Sequence, residues 1–286
     1  MSETGAAAGP LFCLGIDLED VRSMVPGGER YAEAVPRIAR LLLDFLARRR
    51  ARATFFTVGD VARRYPGLVG EIAAAGHELA CHSSDHEPLD RVDRDGLRRD
   101  LERNREDLLR AGARDVQGFR APIFSLTPET AWAYEVLAEL GFSYSSSVLP
   151  RRSPLYGWEG FGERPRRTAA GVWEVPISTC GLGGRGLPFA GGVYFRVLPF
   201  GLVRWLFGRR RASGDAVVGY VHPYDLDTSQ ERFVHPGLGG SPFLNALMYV
   251  NRGRVLSRLE RLVGEGWQLV RYADYVRQRE PRGERA

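Results

Sequence analysis

Short apolar runs that stop at an acid, an imidazole or a guanidinium recur along this chain, and a helical pattern follows most of them. Leu11 to Leu18 runs into Asp17, Glu19 and Asp20, and Ala53 to Val58 is a second such run. His77 to Cys81 leads directly to His82, Val116 to Phe119 to Arg120, and Val217 to Val221 to His222. Helical spacing fills Tyr31 to Arg50, Asp60 to Ala75, Arg94 to Ala111 and the stretch from Thr127 to about Leu140. Alternating strands and helices argue for parallel strands covered by helices. A barrel built this way presents its reactive residues at the strands' C-terminal ends, where these polar residues fall.

Phe142 to Val148, Val172 to Ile177 and Trp267 to Val270 read as further strands, and Arg252 to Val263 as a helix. Arg151 to Thr168 reads as an irregular insertion and the glycine-rich Gly181 to Gly192 as a loop. Tyr194 to Phe207 is mostly apolar; it reads as a helix covering the core, with a second reading as a membrane-surface patch aided by Arg209, Arg210 and Arg211. The 286 residues, 44% of them hydrophobic, suffice for one large core. The expectation is a single domain over 1–286, with a core at 11–227 and a C-terminal extension at 228–286.

Forty basic residues, all arginine, against 35 acids leave a net charge of +5. This reads as a solvated basic surface, or as attraction to an anionic partner. No nucleic-acid-binding motif is present, so no nucleic-acid partner is expected. Cys13, Cys81 and Cys180 lack metal-finger spacing and read as reduced thiols. With no signal-like pattern at the start and no apolar run of membrane-spanning length, the expected location is cytoplasmic, with the membrane surface as a second reading.

His82 and His86, four residues apart in HSSDH, can reach one metal ion if the turn brings them to one side. Nitrogen ligands joined by a carboxylate, with positions left for water, suit zinc. Either Glu19 or Asp20 can supply that carboxylate, but side-chain alternation keeps both from facing one ion. Such an ion yields a nucleophile from water near neutral pH, yet the reaction still needs a base and an acid. Asp17 is the candidate base, His222 in VHPYD the candidate acid, and Arg120 in FRAPIF the group that orients Asp17. Proline at 122 donates no hydrogen bond, so the backbone N–H of Ile123 is the candidate oxyanion donor. Tyr156 and Trp158 are candidates for stacking on sugar rings.

These stretches, in order, resemble the NodB-homology polysaccharide deacetylases, carbohydrate esterase family 4. IDLED stands where that family has its catalytic and metal-binding acids, His82-Ser83-Ser84-Asp85-His86 where it binds metal, Arg120-Ala121-Pro122 at its R-x-P motif, and Val221-His222 at its last motif. LPFAGGVYFRVLPF and NRGRVLSRLERL also resemble a subgroup associated with bacterial exopolysaccharide and exosortase systems. The resemblance implies an irregular (β/α)7 barrel, a divalent metal, most simply Zn2+, and removal of N-acetyl groups from a polysaccharide or lipid-linked glycan. It also places Pro122 against substrate. Three departures stand out: Asp17 is followed by Leu18, Ile123 stands where a tyrosine is frequent, and Ser145 stands where relatives often carry an aspartate. Glu174 or Asp225 is then the candidate support for His222. Alternative readings are an amidohydrolase or deformylase using the same site, and an inactive glycan-binding protein.

Overall fold

The computed structural model describes residues 9–152, 156–182, 185–235 and 240–280. Its strands are β1 (Leu11–Leu18), β2 (Thr54–Thr57), β3 (Glu78–Cys81), β4 (Gly118–Phe119), β5 (Tyr144–Ser145), β6 (Arg166–Arg167), β7 (Trp173–Glu174), β8 (Cys180–Leu182), β9 (Arg185–Leu187), β10 (Val217–Val221) and β11 (Gln268–Val270). Seven of them lie parallel in the order β10-β1-β2-β3-β4-β5-β7. The sheet curls until Ser178, just past β7, meets β10. There Ser178 N donates to Val218 O at 2.9 Å, and Val218 N donates back to Ser178 Oγ at 2.9 Å. The alternation's parallel strands thus curl into the irregular barrel that the resemblance implies.

Period-two alternation divides the core. Phe12, Leu14, Ile16 and Leu18 face outward into a large cluster shared with helix Val35–Arg48 and helix Arg94–Arg110. Cys13 faces inward among Phe56, Ala80, Tyr144, Val218 and Tyr272. Gly15, Asp17 and Glu19 share that inward parity, whereas Asp20 has the outward one. The direction of the three acids is thus set by β1 before any loop is considered.

Several expectations need correction. Asp60 to Ala75 is two helices, Gly59–Arg64 and Pro66–Ala74, because Pro66 lacks the N–H a continuous helix requires. Part of the expected loop at 181–192 forms the antiparallel pair β8–β9. Tyr194 to Phe207 is also broken at a proline, Pro199, into helices Gly192–Val197 and Phe200–Ala212. Phe195, Val203, Leu206 and Phe207 of this stretch are buried in the core, and Trp205 turns outward with the Arg209 guanidinium 5.1 Å from its ring centre. The stretch therefore covers the barrel. The expected extension at 228–286 contributes to the barrel itself: β11 pairs with the first residues of β1, and Tyr272 enters the inner cluster. All three cysteines are free and buried. Among the described residues no helix is long and apolar enough to cross a membrane.

Candidate active site and metal centre

Glu19, His82 and His86 converge at the C-terminal ends of β1 and β3. Glu19 Oε1 lies 3.0 Å from His82 Nε2 and 3.0 Å from His86 Nε2. His82 Nδ1 lies 2.8 Å from the Arg120 carbonyl oxygen, which can only accept, so Nδ1 carries the proton and Nε2 presents its lone pair to the cluster. A buried carboxylate facing two imidazole nitrogens is a donor set that fits a divalent cation. Burial alone pushes the Glu19 carboxyl up, but His86, His222 and the hydrogen bond to His82 together hold it well below the usual range.

The HSSDH loop adopts this shape at a local cost. Ser83 and His86 have φ of 67° and 56°, in the left-handed region that side chains resist. The strain is held by Asp100 and Asn104, one turn apart on helix Arg94–Arg110. Asp100 accepts from the Ser84 and Asp85 amides at 2.8 and 3.1 Å, and Asn104 Nδ2 donates to Ser83 O at 2.8 Å and Thr57 O at 3.1 Å.

Asp17 and Arg120 form a buried pair through Asp17 Oδ1 and an Arg120 terminal nitrogen. The other guanidinium groups donate to Ser146 O at 3.0 Å, Ser146 Oγ at 3.1 Å and Tyr272 Oη at 2.9 Å, and the cation lies 3.9 Å from the centre of the Phe56 ring. Such full pairing lets a charge persist in the barrel interior. Gly15 is the passage through which Arg120 reaches Asp17: a Cβ there would stand 2.6 Å from its Nη1.

His222 faces this group from β10. Its Nε2 is 3.8 Å from Asp17 Oδ2 and 3.9 Å from Glu19 Oε1, while its Nδ1 is 2.8 Å from Asp225 Oδ2. Burial favours the neutral ring, but Glu19, Asp225 and Asp17 outweigh it and raise the pKa to about 9. Asp225 is itself held by Arg196, whose Nε lies 2.9 Å from Oδ1 and which also donates to the Met248 and Val250 carbonyls. Burial would raise the Asp225 carboxyl, but Arg196 and His222 lower it to about 2. His222 is further fixed by stacking on Tyr224, with ring centres 4.5 Å apart.

Other candidates lie elsewhere. Asp20 caps helix Val21–Met24 by accepting from Arg22 N at 2.9 Å and receives Tyr65 Oη at 3.3 Å, so it turns away from the imidazoles. Glu174 does not meet His222; it accepts from the Ser147 and Val148 amides and from Tyr134 Oη. Trp158 packs edge-on against Phe161 at 5.0 Å, and Tyr156 donates to Asp90. Neither lines the cleft that opens on Glu19 and His86, whose walls include Met24, Val58 and Arg63. Pro122 and Ile123 form a tight turn after Arg120, with Ile123 at φ 46°. Phe124 and Ser125 amides bond back to Ala121 and Pro122, while Ile123 N–H has no partner among the described residues. Reading the sequence missed Asp100, Asn104, Ser146, Arg196 and Tyr272. A signal existed for Asn104, which stands in the apolar stripe of Leu97, Leu101 and Leu108.

Comparison with known proteins divides the chain in two. A polysaccharide deacetylase family model matches residues 31–145, and a domain of unknown function (DUF3473) matches 146–276. A chitooligosaccharide deacetylase of Sinorhizobium fredii is 38% identical over 82 residues, which is 28% of this chain and 38% of that protein. The chain thus aligns with little more than a third of the length of the curated relatives it matches first. A Mycobacterium smegmatis structure designated a polysaccharide deacetylase has the same fold at TM-score 0.64 and 21% identity, covering 97% of this chain and 93% of its own. A Bacillus anthracis CE4 family pseudoenzyme shares the fold at TM-score 0.52 and 12% identity, covering 94% of this chain and 66% of its own. The site draws on both matched segments: His82, His86 and Arg120 come from the first, Arg196, His222 and Asp225 from the second, and Asp17 and Glu19 precede both. Residues 31–145 thus match the polysaccharide deacetylase family, and the barrel built around them has the fold of the solved Mycobacterium smegmatis structure.

Proposed function

We propose that this protein is a metal-dependent hydrolase that removes N-acetyl groups from amino sugars of a polysaccharide or lipid-linked glycan. The observation that carries the reading is the convergence of Glu19, His82 and His86 within reach of Asp17 and His222. The two imidazole nitrogens and one carboxylate oxygen favour zinc as the ion. A divalent ion held there supplies Lewis acidity, polarising the acetyl carbonyl and easing loss of a proton from water. Asp17, kept in place by Arg120, accepts that proton as the water oxygen attacks the acetyl carbon. The Ile123 N–H donates to the oxygen on which charge develops. His222, protonated through its pairing with Asp225, gives a proton to the leaving nitrogen as the C–N bond breaks, so that acetate and a free amine result. Asp225 supplies the anionic support that Ser145 cannot. The chain's relatives include a chitooligosaccharide deacetylase and a peptidoglycan-N-acetylglucosamine deacetylase, which supports an N-acetylated glycan as substrate. The exopolysaccharide setting rests on the sequence resemblance at LPFAGGVYFRVLPF and NRGRVLSRLERL.

Acetate release from N-acetylglucosamine oligomers tests this directly. Chelator-treated protein loses the activity, added Zn2+ restores it, and the His82→Ala, His86→Ala double variant stays inactive with or without metal. Undiminished hydrolysis by that double variant would end the proposal. A panel including formyl sugars and small linear amides separates deacetylation from the related amidohydrolase reactions.

A further inference from the structure

Seven large apolar side chains stand well exposed among the described residues, and four of them, Val234, Phe243, Leu244 and Val250, fall in one segment. Phe243 is 70% exposed and Val234 64%. Helix Pro242–Leu247 buries none of its side chains. Residues 233 and 235 are tied to this helix and the turn after it: Phe233 N donates to Tyr249 Oη at 2.6 Å, and His235 N to Asn245 Oδ1 at 2.8 Å. Val234 lies between those two anchors, so it shares the outer surface with the helix. An apolar face of this kind is costly to leave in water and marks a place of contact.

Exposed arginines border the face. Arg232 and Arg254 are both exposed, with the Arg232 guanidinium 5.5 Å from the Tyr249 ring centre, and Arg30 reaches the same corner by donating to Tyr31 Oη, whose hydroxyl donates to Arg232 O. Glu231, the acid of this segment, turns to the Ala32 amide. Apolar anchors bordered by exposed guanidinium groups, on a chain of net charge +5, complement a surface that is anionic outside and apolar just beneath. The face also backs onto the site: the Phe233 ring is 6.0 Å from Tyr224, which stacks on His222.

We propose that the face formed by Val234, Phe243, Leu244 and Val250, with Arg232 and Arg254, docks on an anionic lipid surface and brings the site to glycan held there. The glycan half of this inference rests on the deacetylase reading; the docking half does not. Flotation of the full chain with vesicles tests it, using equimolar phosphatidylcholine and phosphatidylglycerol against phosphatidylcholine alone. Binding is expected to the anionic vesicles only and to weaken with added salt. Phe243→Ser is expected to reduce binding roughly tenfold, and the Arg232→Gln, Arg254→Gln double variant by roughly tenfold or more. Both variants should hydrolyse soluble N-acetylglucosamine oligomers at the wild-type rate, which also shows that they fold. The proposal fails if the chain does not float, if it floats equally with neutral vesicles, or if both variants bind like the wild type. It also fails if Phe243→Ser abolishes dimerisation of a chain that ignores vesicles. Vesicle binding without acetate release from any sugar would leave the docking face standing and remove the deacetylase reading.

Discussion

At the scale of single residues, the protonation of His222 is decided by its surroundings. Asp225 and Glu19 overcome burial and keep the ring cationic up to about pH 9. An acid works only while protonated, so activity should fall on the alkaline side as His222 loses its proton. That fall should lie at or below about pH 9, since a cation on Glu19 cancels part of the field that holds the proton. Asp225→Asn removes the nearer carboxylate, lowers the His222 pKa, and shifts the alkaline limb of kcat to lower pH. It should also reduce kcat by roughly 10^2-fold or more with a smaller change in KM, as the pH-rate profile of the variant would show. An unchanged alkaline limb would remove His222 from the role of acid. Much at this scale was legible. Alternation shows that Glu19 and Asp20 cannot both face one ion, but the sequence left the choice between them open until β1 gave Asp17 and Glu19 the inward parity. Arg196 was not legible, because it sits in a run read as apolar, and a buried charge in such a run finds its counter-ion only when the chain folds.

At the scale of elements, strand ends do the placing and neighbouring helices do the bracing. Ser83 and His86 are left-handed in the HSSDH loop, and Ile123 and Phe124 are left-handed in the loop after Arg120. These two loops flank the site, and their strain persists because other groups over-determine them. Asp100 holds two amides of the first loop without touching the candidate ligands. Asp100→Ala should therefore weaken Zn2+ affinity by about 10–100-fold while the far-ultraviolet circular dichroism stays that of the folded chain; equal affinity in a metal titration would show that the loop braces itself. The apolar run of β1 gave its limits correctly, since both faces of a parallel strand are covered. The run Phe142 to Val148 promised a longer strand than the two residues of β5. Of the serines that follow, Ser146 N still donates to Phe119 O at 2.9 Å, but its carbonyl accepts from Arg120, and the Ser147 hydroxyl accepts from the Ala121 amide. That diversion depends on partners 26 residues away, which local pattern does not register.

At the scale of the whole molecule, the site belongs to no single segment. The first matched segment supplies the imidazoles and Arg120, while the segment that matches a domain of unknown function supplies His222 with its Asp225–Arg196 support. Tyr272, read from sequence as lying in an extension, reaches across 152 residues, where its hydroxyl oxygen accepts from Arg120 and its own proton goes to Gly219 O at 3.1 Å. The order of the strand-end residues along the chain announced the barrel and the cluster; the bracing contacts, all long-range, did not appear there. The account depends most on a cation sitting where Glu19, His82 and His86 meet. Anomalous diffraction at the zinc edge from crystals of the Zn2+-loaded protein tests this most directly. The expected result is one strong peak about 2.0–2.2 Å from Glu19 Oε1, His82 Nε2 and His86 Nε2, with Asp20 still capping its helix. The contrary result is a peak elsewhere, or none, with Glu19 still hydrogen-bonded to both imidazoles in the presence of excess metal.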